Sequence, residues 1–270
     1  MKGAPKFAWA VAILFFVASY WSMDTFSALA AGKKPEAAVK GTPAQAATVA
    51  QAAPEAQAAG TATLSGKVTL AGAAPAPQKI KMAADPVCMQ QHSADVFSQD
   101  VVANNGALQY ATVYIKEGVQ GAFPAPTTPV VLDQQGCMYS PPVFALQAGQ
   151  PLEIRNSDPT LHNINCQTTA NKKFNIAQPT KGMKSTKSFD KPEMGIPFKC
   201  NVHPWMAAHG SVFAHPFFAV TGADGSYSIQ GLPAGAYTVE VWHAKLGTTT
   251  QQVTVADGES KSADFSLQAK

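Results

Sequence analysis

Cys200-Asn-Val-His203-Pro-Trp-Met206 sets a thiol, an imidazole and a thioether within seven residues of one another. A second imidazole stands upstream, in Leu161-His162-Asn163. Two His, one Cys and a weak axial Met are the donors of a blue-copper electron-transfer site, where soft sulfur suits Cu(I) and imidazole accepts Cu(II). A lone Cys-x-x-His is common and reads equally as a buried Cys beside a surface His. Four donors in this order are a narrower signal. Cys200 closes a strand-like run, Pro204 stiffens the loop that follows, and Trp205 shields it. His203, beside Pro204 and Trp205, is expected in an apolar surface patch that would serve as an electron exit, with core packing the alternative for Trp205.

The sequence around this loop reads as strands and turns. Alternation, or short β-branched and aromatic runs, occupies residues 63–70, 110–116, 143–146, 152–155, 211–214, 237–242 and 252–255. Gly, Pro, Asn and Asp punctuate these runs at short intervals. One short helix is expected, with Asp85 as N-cap and Pro86 at the first helical position, running towards His92. No long amphipathic helical period occurs, so the fold class is all-β, built of sandwiches.

With these strands in place, a resemblance becomes specific. Cys137-Met-Tyr139, Ala148-Gly-Gln150-Pro-Leu-Glu-Ile-Arg-Asn156 and Leu161-His162-Asn163-Ile164 resemble the first half of a cupredoxin Greek-key sandwich of the amicyanin and plastocyanin type. Ile196-Pro-Phe-Lys-Cys200-Asn-Val-His203-Pro-Trp-Met206, followed by Gly210-Ser-Val-Phe213, is similar to its second half, with the short ligand loop of the amicyanin kind. The resemblance covers about residues 128–215. It implies one type-1 copper ion held by His162, Cys200, His203 and Met206. Asn163, Pro204 and Trp205 would surround these ligands, with Asn163 tethering the two ligand loops. It also implies a redox protein partner, such as a c-type cytochrome or a dehydrogenase. Cys166 departs from the pattern. On an extended strand it shares a face with His162 and Ile164, so it is either a second thiolate near the metal or a small core residue, and the core reading is preferred.

After His215 the character changes. Val220-Thr-Gly-Ala-Asp224-Gly225-Ser-Tyr227 and Leu232-Pro-Ala-Gly235-Ala-Tyr237 resemble a carboxypeptidase regulatory-like, transthyretin-type or Ig-like β-sandwich, a non-catalytic module. The tail is short for that family. Ser65-Gly-Lys-Val-Thr-Leu70 and Ala111-Thr-Val-Tyr-Ile-Lys116 look like its missing strands, so a discontinuous sandwich of residues 61–127 and 216–270 is expected, with the copper module at 128–215 inserted.

Lys2 and Lys6 precede an apolar run of about fifteen residues, and Ala28-Leu-Ala30 offers a cleavage site. Residues 1–30 therefore read as a secretory signal peptide, with a membrane association only if it stays uncleaved. Residues 31–60 are dominated by Ala, Pro, Gln and Lys and read as a flexible linker. The expected location is periplasmic or secreted. A formal net charge of +3 over 270 residues is too mild to argue for nucleic acid.

Four cysteines remain to be allotted in an oxidising space. If Cys200 ligates copper, a single disulfide uses two of the other three, and Cys88–Cys137 is the expected pair. Cys88 and His92 share a helical face, but two donors make a weak site. Lys172, Lys173, Lys181, Lys184, Lys187 and Lys191 form either a patch that steers an acidic partner or a solvated loop. His209, His215 and His243 are read as packing or surface residues, and His243 beside Trp242 could reach the copper module. The catalytic motifs of hydrolases, zinc peptidases and phosphate-loop enzymes are missing, so no enzyme is expected. The expectation is an electron carrier. A copper-delivery module, or an interaction protein without metal, stands as the alternative.

Overall fold

A computed structural model describes residues 60–269. Residues 1–30, read from the sequence as a signal peptide, and residues 31–59 of the expected linker lie outside the described residues. The chain is all-β. The described residues begin with β1 (Ala62–Ala71), α1 (Pro86–Gln90), β2 (Val102–Asn104), β3 (Ala107–Gln109) and β4 (Thr112–Glu117). The middle of the chain supplies β5 (Val130–Gln135), β6 (Met138–Ser140), β7 (Val143–Gln147), β8 (Leu152–Asn156), β9 (His162–Cys166), β10 (Phe174–Gln178), β11 (Lys184–Lys187), β12 (Glu193–Lys199) and β13 (Ala207–Phe213). The remainder forms β14 (Phe218–Val220), β15 (Ser226–Leu232), β16 (Gly235–His243), β17 (Gly247–Val255), β18 (Ser260–Ser262) and β19 (Phe265–Gln268).

Strands from the two ends of this stretch share sheets. β1 pairs antiparallel with β15, setting Leu64 against Ile229, and parallel with β18 and β19. β4 lies between β14 and β16, with Val113 opposite both Ala219 and Val241. The apolar positions of β1 fall on alternate residues, Ala62, Leu64, Val68 and Leu70, all buried. Gly66 keeps the alternation but carries no side chain, because a Cβ there would meet the Ala263 carbonyl oxygen at 2.0 Å. One core joins Leu64, Val68 and Val113 to Ile229, Val239, Val241 and Phe265.

The middle strands form two sheets of their own, ordered β10-β9-β12-β13-β7 and β11-β8-β5-β6. Their inward residues, among them Leu132, Tyr139, Leu152, Ile154, Ile164 and Phe198, make a second core. Met82 and Cys88 from the segment after β1 belong to this second core. Cys88 and Cys137 are bonded, with S–S at 2.05 Å. Cys166 is buried in the same core, and burial pushes its thiol up to about 11. The lysines between β9 and β12 lie on exposed strands and turns. Lys184 approaches Glu153 at 3.4 Å, and Lys187 lies 5.6 Å from the Phe174 ring centre.

Aromatic contacts join the two cores: the rings of Tyr114 and Phe213 are 4.9 Å apart, and Phe213 stacks on Phe218 at 4.8 Å. Trp242 lies against Gly195, whose φ of +64° and lack of a Cβ admit the indole at 2.5 Å from the ideal Cβ position. The neighbouring His243 is buried, and desolvation, aided by His209, pulls its imidazole down to about 4. The unfolded chain takes up a proton near pH 6.5 that the folded chain refuses until about pH 4. Stability from this group is therefore complete above pH 6.5 and falls at up to about 1.4 kcal/mol per pH unit as pH drops through that window. Urea unfolding at pH 7 and pH 5 checks this. His243→Gln should flatten the difference, and an unchanged pH slope in that variant would remove His243 as its source.

Candidate metal centre

The site is assembled from four stretches of chain. β9 brings His162, and the loop after β12 brings Cys200, His203 and Met206. That loop is closed by Met206 N–H donating to the His203 carbonyl (2.9 Å) and Cys200 N–H donating to the Met206 carbonyl (3.2 Å). Two backbone hydrogen bonds thus pinch the seven residues into one tight turn, with Asn201 and Val202 outside and His203 and Met206 inside.

The donor atoms of His162, Cys200 and His203 lie within 4.8 Å of one another, and all three residues are buried. The two Nδ1 atoms face each other at 2.9 Å, and Cys200 Sγ lies 3.8 Å from His203 Nδ1. Met206 is fully buried in the same core cluster as Cys200. Cys166 belongs to none of the donor groups found among the described residues.

Each imidazole is held from behind by a carboxylate. His162 Nε2 is 2.9 Å from Asp158 Oδ2, and His203 Nε2 is 2.8 Å from Asp85 Oδ2. Asp158 is itself fixed, accepting from Gly136 N–H (2.8 Å) and Cys137 N–H (2.7 Å) at the β5–β6 turn. Both turn residues have positive φ, +63° and +53°, as a two-residue hairpin of this twist requires. His92 Nε2 meets the Gly136 carbonyl oxygen at 2.7 Å, so the turn is anchored from two sides. Asp85 is the N-cap of α1 and accepts from Val87 and Cys88 N–H through its other oxygen.

This arrangement dictates the protonation pattern. With each Nε2–H committed to a carboxylate, each Nδ1 points inward, and two nitrogens at 2.9 Å need one positive centre between them. Burial opposes charge here, but Asp158 and Cys200 nevertheless raise the His162 imidazole above its ordinary range. Burial likewise opposes the Cys200 thiolate. The His162 hydrogen bond and backbone hydrogen bonds at Asn163, His203 and Val202 outweigh it, and the thiol is held below its ordinary value. A buried thiolate beside two inward lone pairs fits a soft or borderline cation that displaces the shared proton.

Asn163 ties the two ligand stretches together. Its Oδ1 accepts from Asn201 N–H at 2.6 Å and lies 3.4 Å from Cys200 Sγ, while its carbonyl accepts from the Tyr139 hydroxyl at 2.6 Å. Pro204 is exposed. Trp205 is half-buried, donates to the Cys137 carbonyl at 3.0 Å, and borders a cleft of about 420 Å³ with Pro204 and His209.

One expectation is corrected. His203 was expected at an apolar surface exit, yet it is only 2% exposed. The α1 segment, stapled by Cys88–Cys137, covers its outer edge, placing Asp85 and Cys88 Sγ 2.8 and 3.5 Å from Nε2. Two of the four exposed large apolar side chains among the described residues sit one residue before each imidazole, at Leu161 (40%) and Val202 (45%); the others are Met89 and Phe97. The carboxylates Asp85 and Asp158 are site residues that sequence reading missed. Asp85 was visible only as a cap, and nothing in the sequence singled out Asp158.

Comparison with known proteins adds the following. The carboxypeptidase regulatory-like domain family matches residues 211–268. No curated protein sequence matches the chain. Among solved structures, the chain is similar to the copper-containing nitrite reductase of Thermus scotoductus SA-01 at 20% identity and TM-score 0.30, over 37% of this chain and 25% of that one. It is similar to a reduced variant of amicyanin at 19% identity and TM-score 0.28, over 31% of this chain and 81% of that one. A purple cupredoxin from Nitrosopumilus maritimus aligns at 24% identity and TM-score 0.25, over 28% and 81%. The chain thus spans a quarter of the nitrite reductase's length.

Proposed function

We propose that the chain is an exported type-1 copper protein that carries single electrons between redox partners by outer-sphere transfer, with no catalytic chemistry of its own. One observation carries the reading: two inward Nδ1 atoms and one stabilised thiolate converge in a buried site. Copper bound there would supply the Cu(II)/Cu(I) couple, with the thiolate and Met206 favouring the reduced ion and the imidazoles accepting the oxidised one.

The rest is done by the protein. Strands β9 and β12 and the pinched loop hold the donors in place, so their positions need not change when the charge does. Core side chains exclude water, and Asp158 sets the direction of the His162 ring. The Cys88–Cys137 disulfide suits an oxidising compartment outside the cytoplasm, in keeping with the signal peptide read at the N-terminus. The partner would be a redox protein such as a c-type cytochrome or a dehydrogenase.

A second reading, copper binding or delivery without redox cycling, is favoured by the covered outer edge of His203. Reduction separates the two. A carrier loaded with Cu(II) loses its visible colour on adding a mild reductant and regains it on reoxidation, one electron per copper. Copper bound without that colour supports delivery.

A further inference from the structure

The site reading leaves one contact without a role: a carboxylate from outside the middle sandwich reaches the back of a proposed ligand. We propose that Asp85 is a positioning residue for His203, fixing its ring with Nδ1 facing the metal and placing a negative charge one hydrogen bond from it. The inference rests on the copper reading for its redox consequence but not for its geometric one.

Three observations carry it. Asp85 divides its two oxygens between tasks. Oδ1 accepts from Val87 and Cys88 N–H, and Oδ2 meets His203 Nε2 at 2.8 Å. The first task locks the carboxylate onto α1, so its second oxygen does not wander. α1 is in turn bonded through Cys88 to Cys137, whose N–H donates to Asp158, the carboxylate behind His162. One disulfide therefore links the supports of both imidazoles, and the two rings are set as a pair. Finally, a carboxylate can only accept from Nε2–H, which leaves Nδ1 unprotonated in a neutral ring, the form a metal ligand needs.

An anion bonded to a ligand imidazole raises its donor strength and favours the more highly charged ion. Asp85 is thus expected to lower the reduction potential of the centre. Ser is the discriminating replacement, because it retains N-cap ability but is too short to engage Nε2 from that position. Asp85→Ser is expected to shift the Cu(II)-to-Cu(I) affinity ratio about tenfold towards Cu(I), which raises the potential of a one-electron couple by about 59 mV.

The experiment has two arms on the full chain. In the metal-free protein, nitrogen NMR of the histidine rings should give the Nε2–H form for His203 in the parent and a tautomer mixture in Asp85→Ser. In the copper-loaded protein, the potential should rise while the visible band persists. An unchanged ring tautomer together with an unchanged potential overturns the proposal. A parent protein that binds copper without the thiolate band sinks the copper reading instead, and the metal-free arm still decides whether Asp85 orients His203. A thiol assay showing the disulfide intact in Asp85→Ser confirms that α1 is still docked.

Discussion

Cys200→Ser is expected to abolish the intense visible absorption of the copper-loaded chain, because that band arises from charge transfer between thiolate and Cu(II), and a hydroxyl supplies no comparable orbital. The effect should be complete rather than graded. Cys200 Sγ alone among the sulfurs of free cysteines lies in a donor cluster with both imidazoles. Cys166→Ser provides the control. Its thiol is buried in the core outside that cluster, so the substitution should lower stability, through a hydroxyl set among apolar neighbours, while keeping the band. Spectra of both variants after addition of one equivalent of Cu(II) decide the matter. Colour surviving in Cys200→Ser, or vanishing in Cys166→Ser, would reassign the thiolate.

The second large effect concerns the staple. Cys88 and Cys137 are 49 residues apart in sequence, and both are fully buried. Closing a loop of that length removes about 4 kcal/mol of conformational freedom from the unfolded chain on the chain-entropy account. Replacing both cysteines with Ala is therefore expected to cost about 4 kcal/mol, a large fraction of the roughly 5–15 kcal/mol of a typical domain. The loss should also be felt at the site, because α1 carries Asp85 and the Cys137 peptide holds Asp158. Urea unfolding of the double variant against the parent measures the first effect. A stability equal to the parent's would mean that packing of Met82 and its neighbours holds the segment without the bond.

The local parts of this site were readable in the sequence, and the distant ones were not. The order His, Cys, His, Met and the tight spacing of the last three are properties of one loop, so residues 200–206 announced themselves. The helix start was equally local: Asp85 followed by Pro86 is a cap signal, and the cap forms as expected. The same carboxylate's bond to His203 spans a separation of 118 residues and left no periodic trace. That bond is why His203 is covered instead of exposed. Strands β10 and β11 escaped notice for a related reason. Phe174–Gln178 and Lys184–Lys187 are only five and four residues long, the second wholly polar, and they are strands because β9 and β8 offer them partners. The all-β class was plain from the frequency of turns and the lack of any helical period. The parallel pairing of β1 with β18 and β19 has no local signature, since it joins residues nearly two hundred positions apart.

The account stands on one buried donor cluster, His162, Cys200 and His203, with Met206 buried in the same core. Titrating the metal-free chain with Cu(II) under visible absorption tests it most directly. An intense blue or blue-green band that grows linearly and stops at one copper per chain is the predicted result. A titration that binds no copper, or binds it without colour, would contradict the electron-carrier account.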